Sequence, residues 1–169
     1  MFDVCQTGSS RMMIISTLKK TFDEGAEYCR NVIKGELAVT EDEDTTRAMV
    51  RAVKVVPDWR VKCFYKFYTG FVRHKTEASF GNPNNKERVT ALDWTEGEPA
   101  ELDEEKFCPD YDMRLGAVIN TGCSQPKCTI CSVKAGSRYH LRGVCNDLTW
   151  LVDINFVLSE TRTFLGINC

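Results

Sequence analysis

Apolar residues recur at helical spacing near the start of the chain: Phe22, Ala26, Cys29 and Ile33 share one face. Thr21-Phe22-Asp23-Glu24 supplies a start signal, because Thr21 caps and the Glu24 carboxylate reaches back to its amide. Gly35 is expected to end this helix in the left-handed conformation. Glu36-Leu37-Ala38-Val39 then reads as a strand. A second helix follows the acidic run Glu41 to Asp44, with Thr46, Met49, Val50 and Val53 as its stripe and Pro57 as its end. Beyond Pro57 the pattern turns aromatic and β-prone, with strands expected at Phe64-Tyr65-Lys66-Phe67-Tyr68 and Phe71-Val72. Gly81-Asn82-Pro83-Asn84-Asn85 is turn chemistry, and from there to Cys108 the chain is irregular. Short strands return at Leu115 to Ile119, around Cys131, at Tyr139 to Val144 and at Thr163 to Ile167. Helices first and strands afterwards predict an α+β fold.

Composition narrows the class. With 169 residues, 43% hydrophobic and 27% charged, the chain suits one domain with a real core. The net charge of −2 is spread along the sequence, without the basic stripe of a nucleic-acid binder. No apolar run approaches the ~20 residues of a membrane helix. The opening Met1-Phe2-Asp3-Val4-Cys5 lacks a basic segment and apolar run, so a secreted protein would be represented by a mature or excised segment. The nine cysteines change the picture most. Cys128-Thr129-Ile130-Cys131 is a CxxC, but no second CxxC or histidine pair accompanies it, and His74 and His140 stand alone. Disulfides in an extracellular setting are the expectation, with the odd cysteine free or bonded to another chain.

Four pieces in order carry a resemblance. These are Phe22 to Cys29 running into Gly35-Glu36-Leu37-Ala38, Tyr68-Thr69-Gly70-Phe71, Trp94-Thr95-Glu96-Gly97-Glu98-Pro99, and Cys108, Cys123 and Cys131. Over roughly residues 10 to 135 the chain resembles the C-type-lectin-like domains. The resemblance implies two helices flanking short antiparallel sheets, with a long irregular loop region, in a domain spanning residues 1–135. It implies Cys29–Cys131 and Cys108–Cys123 bridges. Trp94, Gly97 and Pro99 match the family's loop motif, and the proline is expected to be cis by the same resemblance. The second strand motif departs from the family in lacking its tryptophan, Tyr68 standing there instead.

The sugar-binding members hold calcium in that loop, and calcium takes six to eight oxygen ligands. Carried over by resemblance, Glu98 keeps an acidic ligand, while Ala100 replaces an amide ligand with a methyl group. Glu105 stands one residue away from the usual acidic position. Asn120 is preserved and Thr121 replaces a carboxylate. The site reads as degenerate, built on Glu98, Glu105 and Asn120, so no cofactor is expected and calcium is the one candidate. Asn82-Pro83-Asn84-Asn85 offers another Pro-Asn pair but reads as a turn.

Residues 136–169 are expected to form a disulfide-stapled extension packed on the core rather than a separate domain. Two strands ending at Cys145 and Cys169 suggest a Cys145–Cys169 bridge, and a chain ending at a cysteine suggests that more follows. Cys63 precedes the central aromatic strand and Cys128 the closing one, so Cys63–Cys128 is a reasonable bridge; Cys5–Cys63 is the alternative. A catalytic thiol, with His74 or His140 serving Cys63 or Cys145, has no local signal. The acidic cluster of Glu98, Asp103, Glu104 and Glu105 reads as a solvated loop rather than a glycosidase pair. The chain is therefore expected to be a recognition module rather than an enzyme. It is placed outside the cell, secreted or as part of a surface protein, and binds a protein or glycoprotein without calcium. The alternatives are a carbohydrate-binding lectin with an altered calcium site and a structural component assembled through its odd cysteine.

Overall fold

In a computed structural model, the structure describes residues 2–6, 11–54, 56–89, 92–134, 141–145 and 148–152. Two strands open it: β1 (Phe2–Gln6) and β2 (Arg11–Lys20), paired antiparallel. The apolar run Met12-Met13-Ile14-Ile15, to which sequence periodicity assigned no element, lies inside β2. Helix α1 (Phe22–Asn31) follows with both halves of its capping box formed: Thr21 N donates to Glu24 Oε2 at 2.9 Å, and Glu24 N to Thr21 Oγ1 at 3.4 Å. Those bonds lower the Glu24 pKa.

The helix end corrects one expectation. Lys34, not Gly35, takes the left-handed conformation, with φ 58°. Gly35 donates its N–H back to Cys29 O at 2.9 Å. A Cβ on Gly35 would lie 2.6 Å from Ser132 O, so glycine is required there for close approach.

Short strand β3 (Glu36–Leu37) leads to α2 (Glu43–Lys54), which buries Ala48, Met49, Ala52 and Val53. This stripe is displaced from the expected one, because Thr46 and Val50 face a cleft instead. A third helix, α3 (Trp59–Lys62), follows Pro57. The aromatic run after it is only half strand: β4 is Lys66–Tyr68, while Phe64 and Tyr65 have φ values of 51° and 61°. Phe71-Val72 is not a strand of its own; Val72 makes an isolated bridge to Gly81, and β5 is Arg73–His74. The later strands are β6 (Lys106–Phe107), β7 (Asp110–Asp112), β8 (Ala117–Ile119), β9 (Lys127–Lys134), β10 (Leu141–Cys145) and β11 (Leu148–Val152).

Strand β9 organises the sheet, whose order is β1-β2-β9-β4-β7-β8 with β3 also paired to β9. One edge of β9 takes β2; the other takes β3 and, in a single parallel pairing, β4 through Phe67 and Cys128. Alternate residues serve opposite faces, as a pleat dictates. Met13, Ile15, Cys128 and Ile130 pack with α2, whereas Ile14, Cys131 and Val133 pack with Phe22, Cys29 and Ile33 of the α1 side. Three disulfides cross these layers: Cys29–Cys131, Cys63–Cys128 and Cys108–Cys123. Cys63 is thus taken by Cys128, which rules out the Cys5–Cys63 alternative and a thiol nucleophile at Cys63.

Strand β10 pairs with β11, so its partner is Leu148–Val152. Cys169, the Cys145–Cys169 bridge and the expected strand 163–167 lie outside the described residues. None of the described helices is long and apolar enough to cross a membrane.

Candidate functional site

The long segment between β4 and β7 carries its own small core. Phe71, Phe80 and Phe107 are buried with Val39, and Leu92, Trp94 and Leu102 pack against them. Trp94 is the anchor of this core: its ring lies 5.4 Å from that of Phe80, and its backbone bridges to Val118 of β8. The segment begins at Gly70, whose φ is +85° and where a Cβ would lie 2.8 Å from Val39 Cα. Only glycine fits that junction. The turn at Asn82-Pro83-Asn84 is a structural tie. Buried Asn82 donates to Glu41 Oε1 at 3.0 Å, and Asn84 Nδ2 donates to Leu37 O at 3.2 Å. Sequence reading found the turn but not the tie, whose two acceptors lie more than forty positions away.

Beyond Trp94 the chain turns at Gly97, with φ +84°, into a cis Glu98–Pro99 peptide bond. Glu98 then closes on β8 and itself. Its Oε2 accepts from Ala100 N at 2.7 Å and from Asn120 N at 3.0 Å. The Asn120 side chain returns the tie, Nδ2 donating to Ala100 O at 2.8 Å. The structure thus joins Glu98, Ala100 and Asn120 into one hydrogen-bonded ring. Glu105 stands elsewhere: it is exposed, its carbonyl accepts from Lys75 N, and it lines a shallow hollow with Thr21, Asp23 and Lys106. Thr121 is buried, and its carbonyl accepts from Cys108 N.

This donor set does not fit a calcium ion. Six to eight oxygens are needed. Glu98 Oε2 is already occupied by two backbone amides. Ala100 contributes a methyl side chain, and Asn120 directs its amide nitrogen, which cannot coordinate, into the ring. One buried acceptor of the ring, Asn120 Oδ1, has no partner, and one oxygen makes no coordination sphere. Among the described residues no group of three or more His, Cys, Asp or Glu side chains is arranged to hold a metal.

Beneath this loop, β7 carries two buried carboxylates with opposite behaviour. Asp110 has its pKa pushed up to about 6 by burial, although Lys127 Nζ lies 3.1 Å from its Oδ2. Asp112 is held below its ordinary value, chiefly by hydrogen bonds from Arg114, whose guanidinium lies 2.6 Å from Oδ2. Tyr68 closes the same layer: its hydroxyl donates to Gln125 O at 2.6 Å, and burial raises its pKa.

A cleft of about 760 Å³ runs between α2 and the β7–β8 hairpin. Val50, Leu92, Tyr111 and Val118 give it an apolar lining, with Arg51 and Lys54 among its charged residues.

The profile of the lectin C-type domain family matches residues 18–133. No curated protein sequence matches the chain. Human lithostathine shares its fold over 77% of this chain and 88% of its own, with TM-score 0.62 and 15% identity. TC14, a C-type lectin from the tunicate Polyandrocarpa misakiensis, aligns over 73% and 98%, with TM-score 0.57 and 15% identity. A calcium-independent type II antifreeze protein aligns over 78% and 95%, again with TM-score 0.57 and 15% identity.

Proposed function

The chain belongs to the family of lectin C-type domains, and from that premise we propose that it is an extracellular recognition module binding a protein or glycoprotein without calcium. The Glu98–Ala100–Asn120 ring carries this reading: Glu98 Oε2 and the Asn120 amide nitrogen are spent on bonds within the chain, and Ala100 supplies no side-chain oxygen. A ligand hydroxyl at Glu98 Oε2 would have to displace charge-assisted bonds that this oxygen accepts from two backbone amides. What remains on that face is a shaped, stapled loop, and function follows from the site rather than from the fold. Three disulfides support an oxidising compartment outside the cell, secreted or as part of a larger surface protein.

Calorimetric titration with calcium chloride, paired with a glycan array read in calcium and in EDTA, tests it. The expected result is no calcium binding below the millimolar range and no glycan signal that EDTA removes. A micromolar calcium site abolished by Glu98→Gln, with EDTA-sensitive glycan binding, would establish the carbohydrate-binding alternative instead.

A further inference from the structure

The ends of the β4–β7–β8 layer differ. Tyr68, Asp110 and Ile119 pair at the end leading into the long loop; Lys66, Asp112 and Ala117 pair at the other. At that second end, three segments meet. Met113 N donates to Tyr65 O at 2.8 Å, tying the β7–β8 turn to the residues before β4. The Trp59 ring meets Tyr65 edge-on at 5.1 Å. Lys19, from the irregular end of β2, sits 3.6 Å above the Phe64 ring.

The surface made this way is apolar and cationic. The exposed large hydrophobic residues among those described are Leu18, Val32, Val61, Phe64 and Leu115, and three of them belong to these segments: Val61 at 70%, Phe64 at 58% and Leu115 at 58%. Three cations each lie over one aromatic ring: Lys19 on Phe64, Arg60 on Trp59 at 5.0 Å and Arg114 on Tyr65 at 5.4 Å. Arg114 is neutralised by Asp112, but Lys19, Arg60 and Lys62 have no ion-pair partner among the described residues. The backbone is strained in the same place. Of the five non-glycine residues with left-handed φ among those described, Asp58, Phe64 and Tyr65 fall within this one stretch. Left-handed backbone is costly for an aromatic residue, and Cys63–Cys128 pins the stretch to β9. On this strained backbone Phe64 is left 58% exposed, with Lys19 over its ring.

We propose that this end of the molecule is a second recognition surface, which docks an acidic polypeptide segment carrying apolar side chains. Charge complementarity selects the acidic partner. The exposed Val61, Phe64 and Leu115 favour a protein, since a sulfated glycan would leave them unused. This surface is independent of the long-loop reading, and its failure would leave that reading standing.

The test uses a dye-labelled synthetic peptide of alternating Glu and Leu, titrated by fluorescence anisotropy into the whole chain, with heparin and phosphatidylserine vesicles in parallel. The peptide is expected to bind, to weaken with added salt, and to lose about tenfold or more in affinity in the Lys19→Glu, Arg60→Glu, Lys62→Glu variant. Phe64→Gly supplies a readout that a packing role would not give: glycine accepts φ 51° without strain, so binding should fall while Tm rises. No peptide binding at millimolar concentration, or binding indifferent to the charge reversals, overturns the proposal. Heparin or vesicle binding with the peptide failing assigns the surface to a different class of partner. A lowered Tm for Phe64→Gly overturns the role given to that ring.

Discussion

The two ends of the β4–β7–β8 layer solve opposite problems. At the long-loop end, Glu98 Oε2 and Asn120 Nδ2 are spent on bonds among Glu98, Ala100 and Asn120, while Asn120 Oδ1 is buried without a partner. At the turn end, Phe64 and three cations face outward on a strained backbone. The first end has the Cys108–Cys123 staple, the Glu98–Asn120 bonds and its own aromatic core; the second has the Cys63–Cys128 staple and a few ring contacts. The loop end is therefore the more internally hydrogen-bonded region, although two buried acceptors there, Asp110 Oδ1 and Asn120 Oδ1, have no partner among the described residues, and the exposed apolar side chains lie at the opposite end of the layer.

The staples offer the largest break in this comparison. Cys63–Cys128 closes a separation of 65 residues and Cys108–Cys123 one of 15. In the chain-entropy description, replacing both members of the first pair by serine costs about 4 kcal/mol and of the second about 3. Urea unfolding of the two double variants would rank them, and equal midpoints would refute the entropic ordering.

Glu98→Ala should cost about 1–3 kcal/mol, because two backbone amides lose their acceptor. Hydrogen exchange would localise the loss to Ala100 and Asn120. A global rise in exchange would mean that the loop and the main core unfold as one.

The two carboxylates of β7 sharpen the contrast by pH. Asp110, at the loop end, has a folded pKa of about 6 against an ordinary 3.8. Its contribution is present below the ordinary value and is lost as pH rises through about 6. Asp112, at the turn end, is lowered, so its contribution is present above 3.8 and is lost as pH falls through its folded value. Taking the protein from pH 7 to pH 5 should therefore stabilise it, by on the order of 1 kcal/mol with Lys127 retained beside Asp110. Asp110→Asn should remove this gain, and melting curves at the two pH values would measure it. A fall in Tm between pH 7 and 5 would contradict the assignment.

The smallest effect is expected from Lys62→Glu, within about 0.5 kcal/mol of the parent, since an exposed cation without an ion partner among the described residues holds little together. A loss of several kcal/mol would show that the cation supports the fold rather than the surface.

What the sequence carried and what it hid divide along the same line. The α1 cap was readable because Thr21 and Glu24 interact over three residues. The Trp94 to Pro99 motif was readable because it is contiguous, and the resemblance implied Cys29–Cys131 and Cys108–Cys123, which the structure contains. By contrast, Phe64 and Tyr65 have strong β preference, and only their tertiary surroundings force them left-handed. Strand β2 was hidden because it is buried on both faces, leaving Met13, Ile14 and Ile15 as an unbroken apolar run without alternation. Residue identities at Glu98, Ala100 and Asn120 showed which calcium ligands were absent. They did not show that the survivors bond one another, because the Glu98–Asn120 contact spans 22 positions and depends on β8 passing beside the loop.

The glycine junction at residue 70 has a consequence for engineering. One foot of the long segment is set there against Val39, and the other at Cys108, bonded to Cys123. Between the feet the segment is tied back through Asn82, Asn84, Trp94 and Glu98, so added length is tolerated only between those ties. Doubling a flexible insert adds only about 0.6 kcal/mol of closure entropy. The exposed positions Asn85 to Glu87 are thus a grafting point where foreign peptide would replace the turn's own bonds, Lys86 N to Asn82 O and Asn82 N to Glu87 O, and leave the side-chain ties of Asn82 and Asn84 to Glu41 and Leu37 to hold the base.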